Sequence, residues 1–411
     1  MNPSPRPRLL VLASTYPRWA NDHEPGFVHE LAKRLVDHFE VMVLCPHAPG
    51  AATRETLDGV EVVRYRYAPE SLERLVNDGG IVTNLRRHPW MLALLPGFLL
   101  GQLLALASVV RHRPPAAIHA HWIIPQGFVA ALAGTLGLHR SPILVTSHGA
   151  DLYALGGWLP RKLKQWTLRR CTRATVVSTA MLEPLHALGM APAHTSVAPM
   201  GVDCRRFAPH PGTPRSPREL LFVGRLVEKK GLRHLLDAMP MVVAKHPGTT
   251  LTIAGFGPEL EERMAQARHL GIADKVRFLG AVTHDKLPEL YRRAAALVAP
   301  FIPARSGDRE GLGLVSVEAL ACGCPVVTTA IEPVRELFDG QWPPYLAQPA
   351  NPESLAAQII QLLDDHEQSL RWASATRHQV VQRFGWHAVA RSYIAELACS
   401  SADGRDPGGA P

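Results

Sequence analysis

Two doubly wound α/β domains are predicted for this chain of 411 residues, and three observations predict them. Short apolar runs alternate with helical stretches, the pattern of parallel strands joined by crossover helices. That pattern stops at a proline-rich stretch, residues 204–217, and then begins again, as it does at a linker between two units. The composition supports more than one core: 46% of residues are hydrophobic and 19% charged, which excludes a disordered chain. The length suits two or three domains.

The elements follow in order. Residues 8–13 (Arg-Leu-Leu-Val-Leu-Ala) read as a first buried strand, too short and wrongly flanked for an export signal. A turn-rich loop over 16–26 leads into a helical stretch, 27–35. Residues 41–45 and 60–67 are the next strands, and 118–120, 143–146 and 175–178 complete the first set, each ended by polar residues or glycine. After the proline-rich stretch, strands are predicted at 220–223, 251–254, 276–278, 296–299 and 326–329, with helices between them. The domain limits read from this pattern are 1–204, a linker at 205–217, and 218–384. A helix follows at 385–399, and 400–411 is expected to be a disordered tail. Ligands of such sheets bind beyond the carboxyl ends of the strands, so the two domains are expected to face each other across a cleft.

Residues 90–110 break the alternation: twenty-one residues carry no formal charge, with Arg86, Arg87 and His88 before them and Arg111, His112 and Arg113 after. The length would suffice for a membrane span. Pro96, Gly97, Gly101 and Gln102 interrupt it, and cations flank both ends, so no inside–outside bias exists. A buried helix of the first domain and a partly exposed helix dipping into a membrane interface are the alternatives. Residues 161–170 form a second basic, amphipathic stretch that suits either the same membrane surface or plain solvent.

The net charge is +8. Residues 1–200 hold 20 Lys and Arg against 13 Asp and Glu, whereas 201–411 hold 24 against 23. The basic surplus therefore belongs to the first half, where anionic lipid or an anionic acceptor would be the partner. No aromatic-and-arginine module points to nucleic acid, which ranks last. The six cysteines are scattered, and Cys322 and Cys324 stand too close for a zinc knuckle. They are read as reduced thiols of a cytoplasmic protein.

The residues that carry chemistry gather in the second half. Glu310 and Glu318 bracket two glycines, Gly311 and Gly313, and a short helix is predicted over 315–321, stopped by Gly323 and Pro325. Glu318 would ride on that helix and Glu310 on the loop feeding its N-terminus, where unpaired N–H groups and the dipole suit phosphate. An ordinary loop and helix with two surface glutamates would read the same way. Gly224 and Arg225 end the first strand of the second domain, and Lys230 and Gly231 precede its first helix. Two cations at a strand-to-helix junction favour an anion, although a turn with surface cations gives the same pattern. Gly255 and Gly257, before Pro258, offer close backbone approach at the same rim. In the first domain His148 and Gly149 follow an apolar strand, where a solitary histidine is either structural or directed at the cleft. His119 and His121 are read as structural, since a metal pair would lack a third ligand. With no Asp-x-Asp in the sequence, no metal is expected at a phosphate site.

In this order and spacing the motifs resemble the retaining glycosyltransferases of the GT-B fold, glycosyltransferase family 4 (group 1). The resemblance rests on Gly224-Arg225, Lys230-Gly231, Gly255-x-Gly257-Pro258, Glu310 and Glu318 with seven residues between them, and the run from Ala321 to Val327. It extends to His148-Gly149-x-Asp151 and to Pro199-Met-Gly201-Val-Asp203, with methionine where the family has asparagine. It covers the second domain nearly throughout and the first more loosely.

The resemblance implies a nucleotide-sugar donor on the second domain and a lipid-linked or glycan acceptor. Arg225 and Lys230 would hold the diphosphate, helped by backbone N–H groups around Gly313 and Leu314. Glu318 would take the ribose hydroxyls and Glu310 the hydroxyls of the donor sugar. His148 would stabilise positive charge developing on the sugar. The family retains anomeric configuration, so no glycosidase-like acid/base pair is expected. Where family members often carry a Gly-Gly pair after the first strand, this chain keeps Gly26 alone, and the loop 302–309 is longer and more charged than usual. The helix over 385–399 corresponds to the crossover helix of the family. The expected enzyme is a cytoplasmic hexosyltransferase without cofactor or metal, peripheral on the inner face of the plasma membrane. A sugar-nucleotide epimerase of the same fold and a catalytically silent nucleotide-sugar-binding scaffold are the alternatives.

Overall fold

The computed structural model describes residues 6–19, 22, 26–77, 80–153, 155–338 and 340–403. The chain forms two compact units, one from residues up to 200 together with those from 389 onward, the other from 201–388.

The first unit holds strands β1 (Arg8–Leu12), β2 (Glu40–Pro46), β3 (Arg54–Leu57), β4 (Val60–Tyr65), β5 (Ala117–His121), β6 (Ile143–Ser147), β7 (Arg173–Val176) and β8 (Thr195–Val197). Their order is β3-β4-β2-β1-β5-β6-β7-β8. All neighbours are parallel except β3 and β4, which form an antiparallel edge. β5 and β6 are buried along their whole lengths, which is why they read as unbroken apolar runs rather than alternating ones. The order reverses between β1 and β5, the position where doubly wound sheets open a crevice. All six strands predicted for this unit are present; β3 and β8 are additional, short and half-exposed.

The helix Leu95–His112, preceded by a 3-10 turn Pro89–Leu94, lies on this unit with one face only. Phe98, Gln102, Leu106 and Val110 are buried, while Trp90, Leu92, Leu100 and Leu104 are exposed. Gly97 and Gly101 sit where a Cβ would strike the carbonyl oxygens of Tyr67 and Arg66, so the two glycines mark the face that packs. Of the alternatives the sequence left open, a buried helix of this unit is met on one face only, the other face being exposed.

The second unit holds β9 (Glu219–Val223), β10 (Thr250–Ala254), β11 (Val276–Gly280), β12 (Ala296–Ala299), β13 (Val326–Thr329) and β14 (Leu346–Ala347). They form one parallel sheet in the order β11-β10-β9-β12-β13-β14. Leu220, Phe222, Ile253 and Val298 pack from the sheet against Leu235, Leu236 and Met239 of helix Leu232–Lys245 and Leu355, Ile359 and Leu362 of helix Pro352–Asp364. Each such side chain contributes about 1.5–3 kcal/mol by leaving water. The reversal here falls between β9 and β12.

The stretch expected to be a linker is laid onto this second unit. Phe207 is fully buried, and the Arg215 guanidinium donates to the carbonyls of Tyr291 and Gly323 at 3.0 and 3.1 Å. The last helix, Trp386–Asp403, begins in the second unit and continues in the first, where the Tyr393 hydroxyl donates to the Ala198 carbonyl at 2.8 Å. Ser400, expected in a tail, is buried on this helix; residues 404–411 lie outside the described part.

Candidate active site

In the second unit the predicted residues follow β9 and β12, the two strands flanking the reversal. Gly224 and Arg225 come directly after β9, and a 3-10 turn, Glu228–Lys230, carries the next cations. From β12 the chain passes Pro300 and Phe301 into the loop that ends at Gly313. The two segments are tied together. The Lys230 ammonium lies 2.8 Å from Glu310 Oε2 and 4.9 Å from the centre of the Phe301 ring. Lys229 donates to Asp308 Oδ1 and to the Arg309 carbonyl, both at 3.1 Å, and the Ile302 N–H donates to the Lys229 carbonyl at 3.0 Å. The charged loop 302–309 is thus fastened to the cationic turn.

Glu310 is largely buried. Burial alone would raise its pKa, but the charges of Lys230 and then Lys229, with the hydrogen bond from the Gly313 N–H, bring it to about 2. It is an anion at any physiological pH. Gly313 caps helix Leu314–Ala321 with φ of +84°, a conformation costly for other residues. The glycine lets the chain turn sharply, so the N-terminus at Leu314 opens beside Glu310. Gly255 answers another steric demand, because a Cβ there would overlap the Gly224 carbonyl oxygen. Gly257 in the same way faces the backbone of Leu226.

Glu318, one turn along that helix, points its carboxylate at two groups the sequence did not single out. Tyr291 donates to Oε2 at 2.8 Å and His284 Nε2 lies 3.0 Å from Oε1. Burial first, and the Glu318 carboxylate second, hold the Tyr291 phenol protonated. Nothing in the local sequence marks either partner: Tyr291 lies in helix Leu287–Arg293 and His284 in the turn before it.

The remaining predicted residues belong to the first unit. Gly26 starts helix Phe27–Leu35, its carbonyl accepting the Glu30 N–H at 2.8 Å, so Phe27 follows the β1 loop; residues 20, 21 and 23–25 of that loop lie outside the described part. The Phe27 ring lies 4.9 Å from that of His148, tilted by 51°, and Trp122 lies 5.0 Å from the same ring. His148 Nε2 shares a 3.0 Å hydrogen bond with His121 Nδ1. Burial, and then the neighbouring His119, lowers the His148 pKa to about 3, so its imidazole is neutral. Asp151 fixes the loop: it accepts from the Ile123 N–H at 2.7 Å, the Ser147 hydroxyl at 2.9 Å and the His148 N–H at 3.3 Å. His119 and His121 lie within β5 and His148 directly follows β6, so the three stand next to the reversal of their own sheet. Among the described residues no group of three or more His, Cys, Asp and Glu is arranged to hold a metal ion.

The chain is similar to known proteins. The family model for glycosyl transferases group 1 matches residues 205–379, and that for glycosyltransferase family 4 matches residues 27–206. A glycogen synthase of Mycobacterium tuberculosis is 30% identical over 401 residues, covering 93% of this chain and 92% of that protein. A GDP-mannose-dependent alpha-(1-6)-phosphatidylinositol monomannoside mannosyltransferase of the same species is 29% identical over 280 residues, 65% of this chain and 71% of that one. A sucrose-phosphate synthase from Thermosynechococcus elongatus superposes with a TM-score of 0.79 at 20% identity, over 97% of this chain and 100% of that chain. That likeness is one of fold, the GT-B fold of two α/β parallel-sheet domains. With family models matching both halves and a relative 30% identical across nearly its whole length, the chain belongs to the group 1 glycosyltransferases of glycosyltransferase family 4.

Proposed function

We propose that this glycosyltransferase moves a hexose from a UDP- or GDP-sugar to a lipid-linked or polysaccharide acceptor of the cell envelope or an exopolysaccharide, with retention and without a metal ion. The observation that carries the reading is the Lys230–Glu310 pair beside the glycine-capped helix N-terminus, with Glu318 one turn further on. Arg225 and Lys230 hold the donor diphosphate, and the N–H groups at Leu314 add to the field. Glu318, positioned by Tyr291 and His284, accepts from the ribose hydroxyls. Glu310, held ionised, accepts from hydroxyls of the sugar.

In the reaction the bond between the anomeric carbon and the phosphate oxygen breaks, and its electron pair leaves with the diphosphate. The acceptor hydroxyl attacks the same face, and its proton passes to the departing phosphate oxygen. Two cations and a helix N-terminus stabilise the charge that a metal would otherwise neutralise. His148, half-buried and neutral, stabilises the oxocarbenium-like sugar with a lone pair. A relative named for GDP-mannose and a phosphatidylinositol mannoside, and another named for glycogen, support the donor and acceptor classes. The six free thiols suit a cytoplasmic enzyme at the inner face of the plasma membrane.

A thermal-shift panel of nucleotide sugars tests this. One UDP- or GDP-hexose should raise the melting temperature, because it binds only the native state, and the same compound should release its nucleotide when acceptor is added. A panel in which no nucleotide sugar shifts the melting temperature contradicts the reading. Conversion of the donor without any acceptor would indicate an epimerase instead.

A further inference from the structure

The first unit carries a helical layer whose outer surface the transfer reaction does not use. Helices Leu95–His112, Phe128–Thr135 and Trp158–Leu168 pack side by side in that order, with Phe128 against Trp166 at 5.5 Å. Trp90, Leu92, Leu100 and Leu104 are exposed along the first of these and the turn before it, and Trp158 and Leu159 at the start of the third. Between Asp78 and Glu183 the sequence has eleven Lys and Arg and a single carboxylate, Asp151. Asp151 is buried and engaged with Ile123 and Ser147. Arg86, Arg87 and Arg111 therefore stand exposed at the two ends of the apolar face, and Arg161 and Lys162 beside Trp158, with no acidic neighbour from these segments to neutralise them.

An apolar strip bordered by cations complements a surface that is anionic outside and apolar just beneath, which is an anionic bilayer. The helix is apolar enough to cross a membrane by composition. Its inner face argues against crossing: Phe98, Leu106 and the polar Gln102 are buried in the unit, and Gly97 and Gly101 close on the backbone at residues 66 and 67. A span would strip that packing and leave Gln102 in hydrocarbon. We propose that this helical layer docks the enzyme on an anionic lipid bilayer, lying in the interface. The inference extends the membrane placement above by naming the surface, and vesicle binding is read without turnover, so its failure leaves the donor reading intact.

The test is sedimentation of the full chain with vesicles of phosphatidylcholine alone or mixed with phosphatidylglycerol. Binding is expected to the mixed vesicles only, and to weaken in salt. Replacing Arg86 and Arg87 by glutamine should lower partitioning about fivefold per arginine. Leu100→Ser with Leu104→Ser should weaken it as well, leaving the melting temperature unchanged because both side chains are exposed. Failure to sediment, equal binding to neutral vesicles, or binding indifferent to both pairs of substitutions overturns the proposal. Loss on arginine replacement with no effect of the leucine pair overturns it too, in favour of a soluble polyanion.

Discussion

Replacing Lys230 by alanine separates what its ammonium does for the reaction from what it does for the fold. The Glu310 carboxyl stands at about 2 against an ordinary value of 4.5; burial opposes that, and Lys230 is the leading influence that overcomes it, ahead of Lys229. A folded-state pKa below the unfolded one stabilises the protein above the unfolded value, and the contribution fades as pH falls through the folded value. The gap of roughly 2.5 pH units, at about 1.4 kcal/mol each, is worth about 3 kcal/mol at neutral pH. Without Lys230 most of that disappears, and the second unit should melt about 6–12 °C lower at pH 7. At pH 3 the difference between variant and parent should shrink. In the reaction, one fixed cation on the leaving diphosphate is worth roughly 3–4 kcal/mol, so kcat/KM should fall about 100- to 1000-fold. Adding Glu310→Gln to Lys230→Ala removes the unpaired carboxylate and should restore the melting temperature without restoring turnover. A Lys230→Ala enzyme within tenfold of the parent, or a double variant that regains activity, would show that the ammonium does not serve the leaving group.

Three further outcomes are expected. Tyr291→Phe takes the phenolic donor from Glu318; a hydrogen bond to a charged group is worth about 1.5–3 kcal/mol, so the donor KM should rise about tenfold or more with kcat little changed. Gly255→Ala forces a methyl group onto the Gly224 carbonyl, and an overpacking cost of about 2 kcal/mol should lower the melting temperature of the second unit by roughly 4–8 °C. Burial takes His119 and His148 down to about 3, and His121 well below its usual value. The unfolded chain then binds protons that these imidazoles refuse, so stability of the first unit should decline as pH falls from about 6.5 toward 3. His148→Gln should make that decline shallower in a pH series of melting curves.

The sheets were legible because parallel strands buried on both faces leave unbroken apolar runs, as in Leu220–Val223 and Ile143–Thr146. The strands that escaped notice are edge strands: β3, Arg-Glu-Thr-Leu, is half-exposed, β8 has three residues, and β14 is only two residues long. Composition alone misread one segment and left another undecided. The prolines of 204–217 suggested a linker, but Phe207 and Arg215 anchor that stretch, the arginine by a hydrogen bond to Tyr291, 76 positions away. The all-round apolar character of residues 90–110 hid which face packs, although Gly97 and Gly101, four apart, were the available sign. In the site, the cationic turn, the Gly313 cap and both glutamates were readable because they lie in short contiguous motifs. Tyr291, His284 and the Lys229–Asp308 tie were not, since folding alone brings them to the site.

Binding of the nucleotide-sugar donor to the second unit through Lys230 and Glu318 can be measured without turnover. The donor that gives the largest thermal shift is titrated calorimetrically into the parent chain and into Lys230→Ala with Glu318→Ala. The parent should bind one donor per chain. The variant, deprived of the two charged groups proposed to hold the donor, should bind at least about 100-fold more weakly. Equal affinity in the two proteins would rule this donor site out.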